Sequence, residues 1–150
     1  MDTGHWQFPH EFDPADWFGF IYRIIEKDTG REYIGKKQFQ SIRRVKLKSR
    51  KNRKVVRKES DWKTYTSSST HLNAAIEEKG ISNYQFIIES LHETKGSMYY
   101  REVEMQIKED VLLKELDNGT PMYYNRQVGS VRFIPPKPTL KEQKFYNDKL

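Results

Sequence analysis

The sequence predicts an α+β fold, a small, mostly antiparallel three-stranded sheet flanked by helices. Three observations carry this reading. Two runs rich in aromatic and β-branched residues stand close together around a short turn, the pattern of a β-hairpin. A third such run, 84–90, lies between two stretches bearing helix-start and helix-stop signals. The resulting order of two strands, a basic segment, helix, strand and helix packs helices onto one sheet. A length of 150 residues suits one domain: an N-terminal arm over 1–16, a body over 17–133 with a basic insert at 36–58, and a tail over 134–150.

Element by element, the arm is polar, dotted with aromatics and interrupted by Pro9 and Pro14, so it reads as irregular. The run WFGFIYRII from Trp17 to Ile25 is the first strand, Lys27-Asp28-Thr29-Gly30 the turn, and Arg31 to Gly35 the second strand. The basic stretch from Lys36 to Lys58 has too few apolar residues to be buried. Its interior, Lys46 to Lys54, is expected as a mobile loop or a solvated helix. Asp61-Trp62-Lys63-Thr64-Tyr65 brings aromatics back and re-enters the core. Ser67, Ser68, Ser69 and Thr70 offer N-caps for a helix over 72–79, which Gly80 ends. After the third strand, Ser97 is placed to cap a longer helix from Met98 to about Leu113. Tyr100, Val103, Ile107 and Val111 would share one of its faces. Asp117-Asn118-Gly119 makes a turn, 122–128 is a short ordered return, and Pro135-Pro136-Lys137-Pro138 opens an exposed tail.

The formal charge is +6, and its distribution matters more than its size. Between Lys36 and Lys58 there are twelve Lys or Arg residues and no Asp or Glu, which leaves the rest of the chain net acidic. So concentrated a positive field points to a polyanion, either nucleic acid or an anionic membrane. The expected contacts are Arg44, Lys46, Lys48, Arg50, Lys51, Arg53 and Lys54. No apolar run approaches membrane-spanning length, and the first residues lack the basic-then-apolar layout of a signal peptide. With no cysteine, disulfides and thiolate metal sites are excluded.

Tyr22 and Tyr33 end the two halves of the hairpin, with Gly35 directly after the second strand. Adjacent phenols can hydrogen-bond a nucleophilic water and a phosphate oxygen, and Gly35 would let a phosphate approach the backbone. Tyrosines in strands also serve as plain packing residues. The motif Phe20-Ile21-Tyr22, preceded by Gly19, and the motif Tyr33-Ile34-Gly35 are separated by ten residues. On these residues the chain resembles the GIY-YIG nucleases. Phe20 stands where the first motif has glycine, and the tyrosine is kept. The resemblance spans about Phe18 to Asn125. The Asp61 to Tyr65 block with Ser67-Ser68-Ser69 is similar to phage members, especially the Seg-type nucleases of large phages.

The resemblance implies a metal-dependent DNA endonuclease acting on double-stranded DNA in the cytoplasm, that of the host cell for a phage protein. Eight residues past Gly35 lies Arg43, where homing-type members carry a catalytic arginine, and Lys37 competes for that role. The stretch from Tyr99 to Val111 resembles phage-type members, whose metal-binding glutamate lies eight residues before the aspartate. That selects Glu102 ahead of Asp110, with Glu104 as the alternative. Asn125, in Tyr123-Tyr124-Asn125, matches the closing asparagine of the family.

The chemistry agrees with those residue types. Phosphodiester hydrolysis needs an activated water, neutralised phosphoryl oxygens and help for the leaving oxygen. One divalent ion on a carboxylate can polarise the phosphate and assist departure. An oxygen ligand set completed by water and phosphate suits Mg²⁺ or Mn²⁺. A guanidinium such as that of Arg43 clamps phosphate bidentately and stays charged. Tyrosine, with an ordinary pKa of about 10, is a poor base. Either cations stabilise its phenolate or Tyr22 only relays the proton. His71 is a further candidate base, and Trp62 and Tyr65 are either stacking platforms for bases or core residues. The alternative function is a non-catalytic DNA-binding protein on the same scaffold, for which Phe20 argues. A third is an RNA-binding or membrane-surface protein using the basic segment alone. No zinc finger or helix-turn-helix is visible, which leaves site specificity unexplained, with only the basic insert and a short tail available for it.

Overall fold

The computed structural model describes residues 1–46, 48 and 54–146. The expected hairpin forms from β2 (Gly19–Glu26) and β3 (Glu32–Gln38), which place Tyr22 opposite Gly35 and Ile24 opposite Tyr33. Gly30 closes the turn at φ 80°, a left-handed conformation that glycine adopts at little cost. On its other edge β2 pairs antiparallel with β6 (Tyr84–His92), and β1 (Trp6–Gln7) adds parallel to β6. The sheet order is therefore β1-β6-β2-β3, mixed and four-stranded where three strands were expected. The arm is accordingly not irregular throughout. Trp6 is buried in the core, and its indole N–H donates to the Trp62 carbonyl.

The basic segment differs more from expectation. Its flanks form β4 (Gln40–Val45) and β5 (Lys54–Glu59), which pair as a separate antiparallel ribbon, while the interior expected as a loop or helix lies largely outside the described residues. Both ribbon faces are largely solvent-exposed, so alternation along its strands carries no hydrophobic signature. Arg44, Lys46, Lys48 and Lys54 are exposed, whereas the expected contacts Arg50, Lys51 and Arg53 lie outside the described residues.

Helix α1 (Thr70–Lys79) starts at Ser69, whose hydroxyl accepts from the Leu72 N–H, and stops at Gly80, φ 90°. Helix α2 (Lys95–Lys108) begins earlier than expected because Thr94, not Ser97, is its cap. It also ends earlier, as Asp110 turns to φ 52°. Its buried face is set by Met98, Arg101, Met105 and Gln106, while Tyr100 and Ile107 are exposed. Apolar periodicity misses this face because Gln106 is recruited by a hydrogen bond, its Nε2 donating to the Ile34 carbonyl at 3.0 Å.

The two sheet faces carry separate cores. Phe20, Tyr22 and Ile24 join Trp6, Phe39, Trp62 and Leu72 on one face, while Ile21 and Ile34 pack with Met98, Met105 and Tyr123 on the other. Phe20 is completely buried, with ring centroids 4.9 Å from Phe39 and 5.1 Å from Trp6. Truncating such a ring costs about 3–5 kcal/mol, so position 20 is here a packing position. Trp62, also fully buried, serves the same core rather than a ligand.

The tail is docked where an exposed tail was expected. Glu142, in the short helix α3 (Leu140–Lys144), is buried and accepts from the Glu93 N–H and the Ser97 hydroxyl, each at 2.8 Å. Burial opposes its charge, but bonds from His92, Thr139, Glu93 and Ser97 outweigh that and hold the carboxyl at about 2. Among the described residues no helix is long and apolar enough to cross a membrane.

Candidate active site

Strand β3 is an edge strand whose two halves are finished differently. Along the first half the return segment covers the edge: Glu32 N–H donates to the Met122 carbonyl, and Tyr124 N–H donates to the Glu32 carbonyl. Asn125 completes the cover, its Oδ1 accepting from Ile34 N–H at 3.0 Å and its Nδ2 donating to the Ile34 carbonyl at 2.8 Å. From Gly35 to Gln38 the strand instead borders a cleft of about 410 Å³ whose walls include Tyr22, Tyr33, Lys36, Lys37, Tyr65 and Glu102.

Tyr22 enters this cleft by passing over Gly35. The Tyr22 and Tyr33 rings lie 6.1 Å apart and nearly parallel, at 27°. A Cβ on Gly35 would stand 2.4 Å from the Tyr22 hydroxyl and 2.9 Å from Tyr33 Cε1. The glycine therefore makes room for the two phenols, not for a phosphate as its motif position suggested. Gly35→Ala is expected to destabilise the fold by about 1–3 kcal/mol through overpacking. It should also displace both hydroxyls, and urea unfolding alongside a cleavage assay checks the two effects together.

Glu102 arrives from the opposite side of the sheet, on α2, and the alternation of β3 divides its two lysines between the sides. Lys36 Nζ lies 3.1 Å from Glu102 Oε1 and over the Tyr99 ring, 4.2 Å from its centroid. Lys37 pairs with Asp61 at 2.7 Å and lies over the Tyr65 ring at 4.1 Å. Burial raises the Glu102 carboxyl above the usual carboxylate range, and Lys36 only partly offsets this. Burial also pushes the Tyr22 phenol well above its ordinary value, with Tyr33, Tyr65 and Glu102 adding to the effect. Tyr33 is raised by burial as well, against the pull of the Ser68 side chain.

A family model described as "Putative endonuclease segE, GIY-YIG domain" matches residues 5–128. The chain belongs to this GIY-YIG endonuclease family. Neither a curated protein nor a solved structure gives a match. The matched span takes in β1, the ribbon and both long helices, and the family is one of nucleases.

Within this GIY-YIG domain the expected site residues fall into groups. Tyr22, Tyr33, Lys37 and Glu102 share the cleft. Glu104 does not; it is bonded to Arg101 and pairs with Lys108 at 3.9 Å. Arg43 stands on β4 in a neighbouring cavity, which shares Lys37, Ser41 and Ser60 with the first. His71 is exposed in the first turn of α1 and lines a separate cavity with Arg31 and Tyr124. Asn125 lies outside the cleft lining and acts through the backbone of Tyr33-Ile34-Gly35, which it holds in place. Asn125→Ala would leave the buried Ile34 N–H without its acceptor, at a cost of about 1–3 kcal/mol. Its cleavage should fall in parallel with thermal stability and recover on cooling.

Lys36 and Ser68 were not singled out as site residues from the sequence, and Tyr65 only as a base-stacking platform or core residue. Lys36 was legible in principle, since extending β3 past Gly35 puts it beside Ile34 on the α2 side. The positions of Tyr65 and Ser68 depend on how the 61–69 segment folds back, and no local pattern shows that.

Proposed function

We propose that the chain is a divalent-metal-dependent endonuclease of Seg type that hydrolyses phosphodiester bonds of double-stranded DNA. The phage-infected host cytoplasm is its proposed setting. The observation that carries this reading is the convergence of two phenols, one desolvated carboxylate and a lysine on one cleft beside the uncovered half of β3.

The residues present fit a hard cation with a mostly aqueous shell. Among the described residues no cluster of three His, Cys, Asp or Glu exists, so the ion would rest on Glu102 alone. Among the described residues, Lys36 engages Oε1 of that carboxylate and no partner is found for Oε2. Oxygen donation with the remaining positions left to water and phosphate suits Mg²⁺ or Mn²⁺. When bound, such an ion polarises the phosphate and assists the departing oxygen. Lys37 is placed to contact a phosphoryl oxygen in the cleft. The Tyr22 and Tyr33 hydroxyls orient the attacking water there. Because burial disfavours its phenolate, Tyr22 acts as a neutral relay, taking the proton of the attacking water as its own passes to a non-bridging phosphoryl oxygen, rather than removing it as a base.

Supercoiled plasmid incubated with Mg²⁺, with and without chelator, tests the proposal. Nicked or linear product only in the unchelated reaction supports it, and binding without cleavage points to the non-catalytic alternative. Phe20 no longer argues for that alternative, because its ring fills the core.

Contact with DNA is proposed to extend along the ribbon. Alternation puts Arg43, Lys54 and Lys58 on one ribbon face, with Arg43 and Lys58 lining the cavity next to the cleft. Each phosphate contact contributes a slope of about −0.9 to the log–log dependence of affinity on salt. Replacing all three with Ala should flatten that slope by up to about three. An unchanged slope would mean that this face meets only solvent.

A further inference from the structure

The other ribbon face has a different character. The ribbon is firmly rooted: Phe39, the one residue between β3 and β4, is buried against Phe20 and Trp62, each at 4.9 Å. Ser60, just after β5, donates its N–H to the Phe39 carbonyl and its hydroxyl to that of Gln38. Beyond this root, among the described residues, the two ribbon strands pair only with each other. The ribbon's second face sets Gln40 opposite Glu59 at the root, where Glu59 pairs with Lys63 at 3.6 Å, and beyond it Ile42 opposite Arg57 and Arg44 opposite Val55, a checkerboard of aliphatic and guanidinium groups. Ile42 and Val55 are 43% and 48% exposed. Neither arginine has an ion-pair partner among the described residues.

A solvated two-stranded ribbon is marginal on its own, so exposed aliphatics on both of its strands call for a covering partner. The partner must accept two unpaired guanidinium groups and also offer apolar contact between them. Base edges in a DNA major groove meet both demands, since guanine O6 and N7 accept a bidentate arginine and the thymine methyl is apolar. That groove, about 12 Å wide, admits a two-stranded ribbon. The deep, narrow major groove of A-form RNA does not. Six residues per strand, at about 3.4 Å each, reach about 20 Å along it.

We propose that the β4–β5 ribbon is the sequence-reading arm of the enzyme, with Arg44 and Arg57 contacting base edges in the major groove beside the cleavage point. This rests on the nuclease reading for its substrate, duplex DNA. The ribbon leaves the sheet at the cleft, because Gln40, Ser41 and Ser60 line both its root and the cleft wall. A base pair read by Arg44 or Arg57 would therefore stand at a fixed distance from the cut bond.

The test is selection from a random-sequence duplex library, by sequencing cut ends for the wild type and bound duplexes for Glu102→Gln. The wild type should prefer a few base pairs at constant offset from the cut, and Glu102→Gln should bind the same pattern. Arg44→Ala and Arg57→Ala should each erase the preference at one or two of those positions, by about ten- to a hundredfold, and keep it at the others. Uniform weakening on all sequences would make these residues phosphate contacts and overturn the proposal. So would sequence-independent binding, or equal binding of duplex RNA. Selective binding without cleavage by the wild type would sustain the reading arm and reject the nuclease.

Discussion

Glu102→Gln is expected to lose cleavage by more than a hundredfold while binding DNA about as well as the wild type. Substituting groups that merely support a metal ligand already costs 10–100-fold, and here the ligand itself would go. Among the described residues no second carboxylate lines the cleft, and Glu104, outside it, is held by Arg101 and Lys108. Removing a negative charge beside the DNA path leaves affinity intact or slightly improved. The same substitution should not destabilise the fold at neutral pH. Burial raises the folded pKa of Glu102, so the folded carboxyl keeps its proton at a pH where the unfolded one has lost it. The ionised form thus costs stability, a cost absent at acid pH and fully present above the raised pKa. Glutamine removes it, so thermal unfolding at pH 7 should show a variant at least as stable as the wild type. For the wild type, cleavage should decline on acidification, since the protonated acid cannot hold a cation. Cleavage surviving in Glu102→Gln and lost in Glu104→Gln would move the site to the other side of the helix.

Features with a local cause were the ones that could be read from the sequence. Gly30 and Gly80 occupy left-handed positions that only a few residue types tolerate, and they bound the hairpin and α1 where expected. The run around Tyr22 shows as a strand because both of its faces are buried. Features whose cause is distant were not legible. β1 is two residues long and owes its place to one indole hydrogen-bonded across to Trp62. Arg101 and Gln106 are polar and yet buried on α2, so the helix presents a face that hydropathy assigns to solvent. The tail docks through Glu142, a residue type whose composition signal is that of an exposed turn. At the site, motif spacing located both tyrosines and Glu102. It placed Arg43 by analogy, but β4 carries that side chain one cavity away, and of the two expected cations Lys37 lines the cleft, together with Lys36 and Lys95.

Tyr22→Phe and Tyr33→Phe separate hydroxyl chemistry from packing, since each keeps its ring. The Tyr22 ring packs against Trp6 at 4.9 Å and edge-on to Tyr65 at 6.1 Å, contacts that phenylalanine retains. Folding should therefore survive in both variants, with unfolding midpoints close to the wild type. At least one should lose about two orders of magnitude in cleavage rate, the usual contribution of a positioned proton-transfer group. Tyr22 is expected to show the larger loss, because its hydroxyl sits over Gly35 in the cleft and is the more deeply buried. The pH profile then distinguishes how it acts. A phenolate base with its pKa raised well above the ordinary value would make the rate climb about tenfold per pH unit through the mildly alkaline range. A neutral relay gives a plateau there, with only the acid limb set by Glu102. The plateau is the expected result, and it should persist at lower height in Tyr22→Phe. Undiminished rates in both variants would return the pair to the aromatic core and leave the attacking water to be oriented from elsewhere in the cleft.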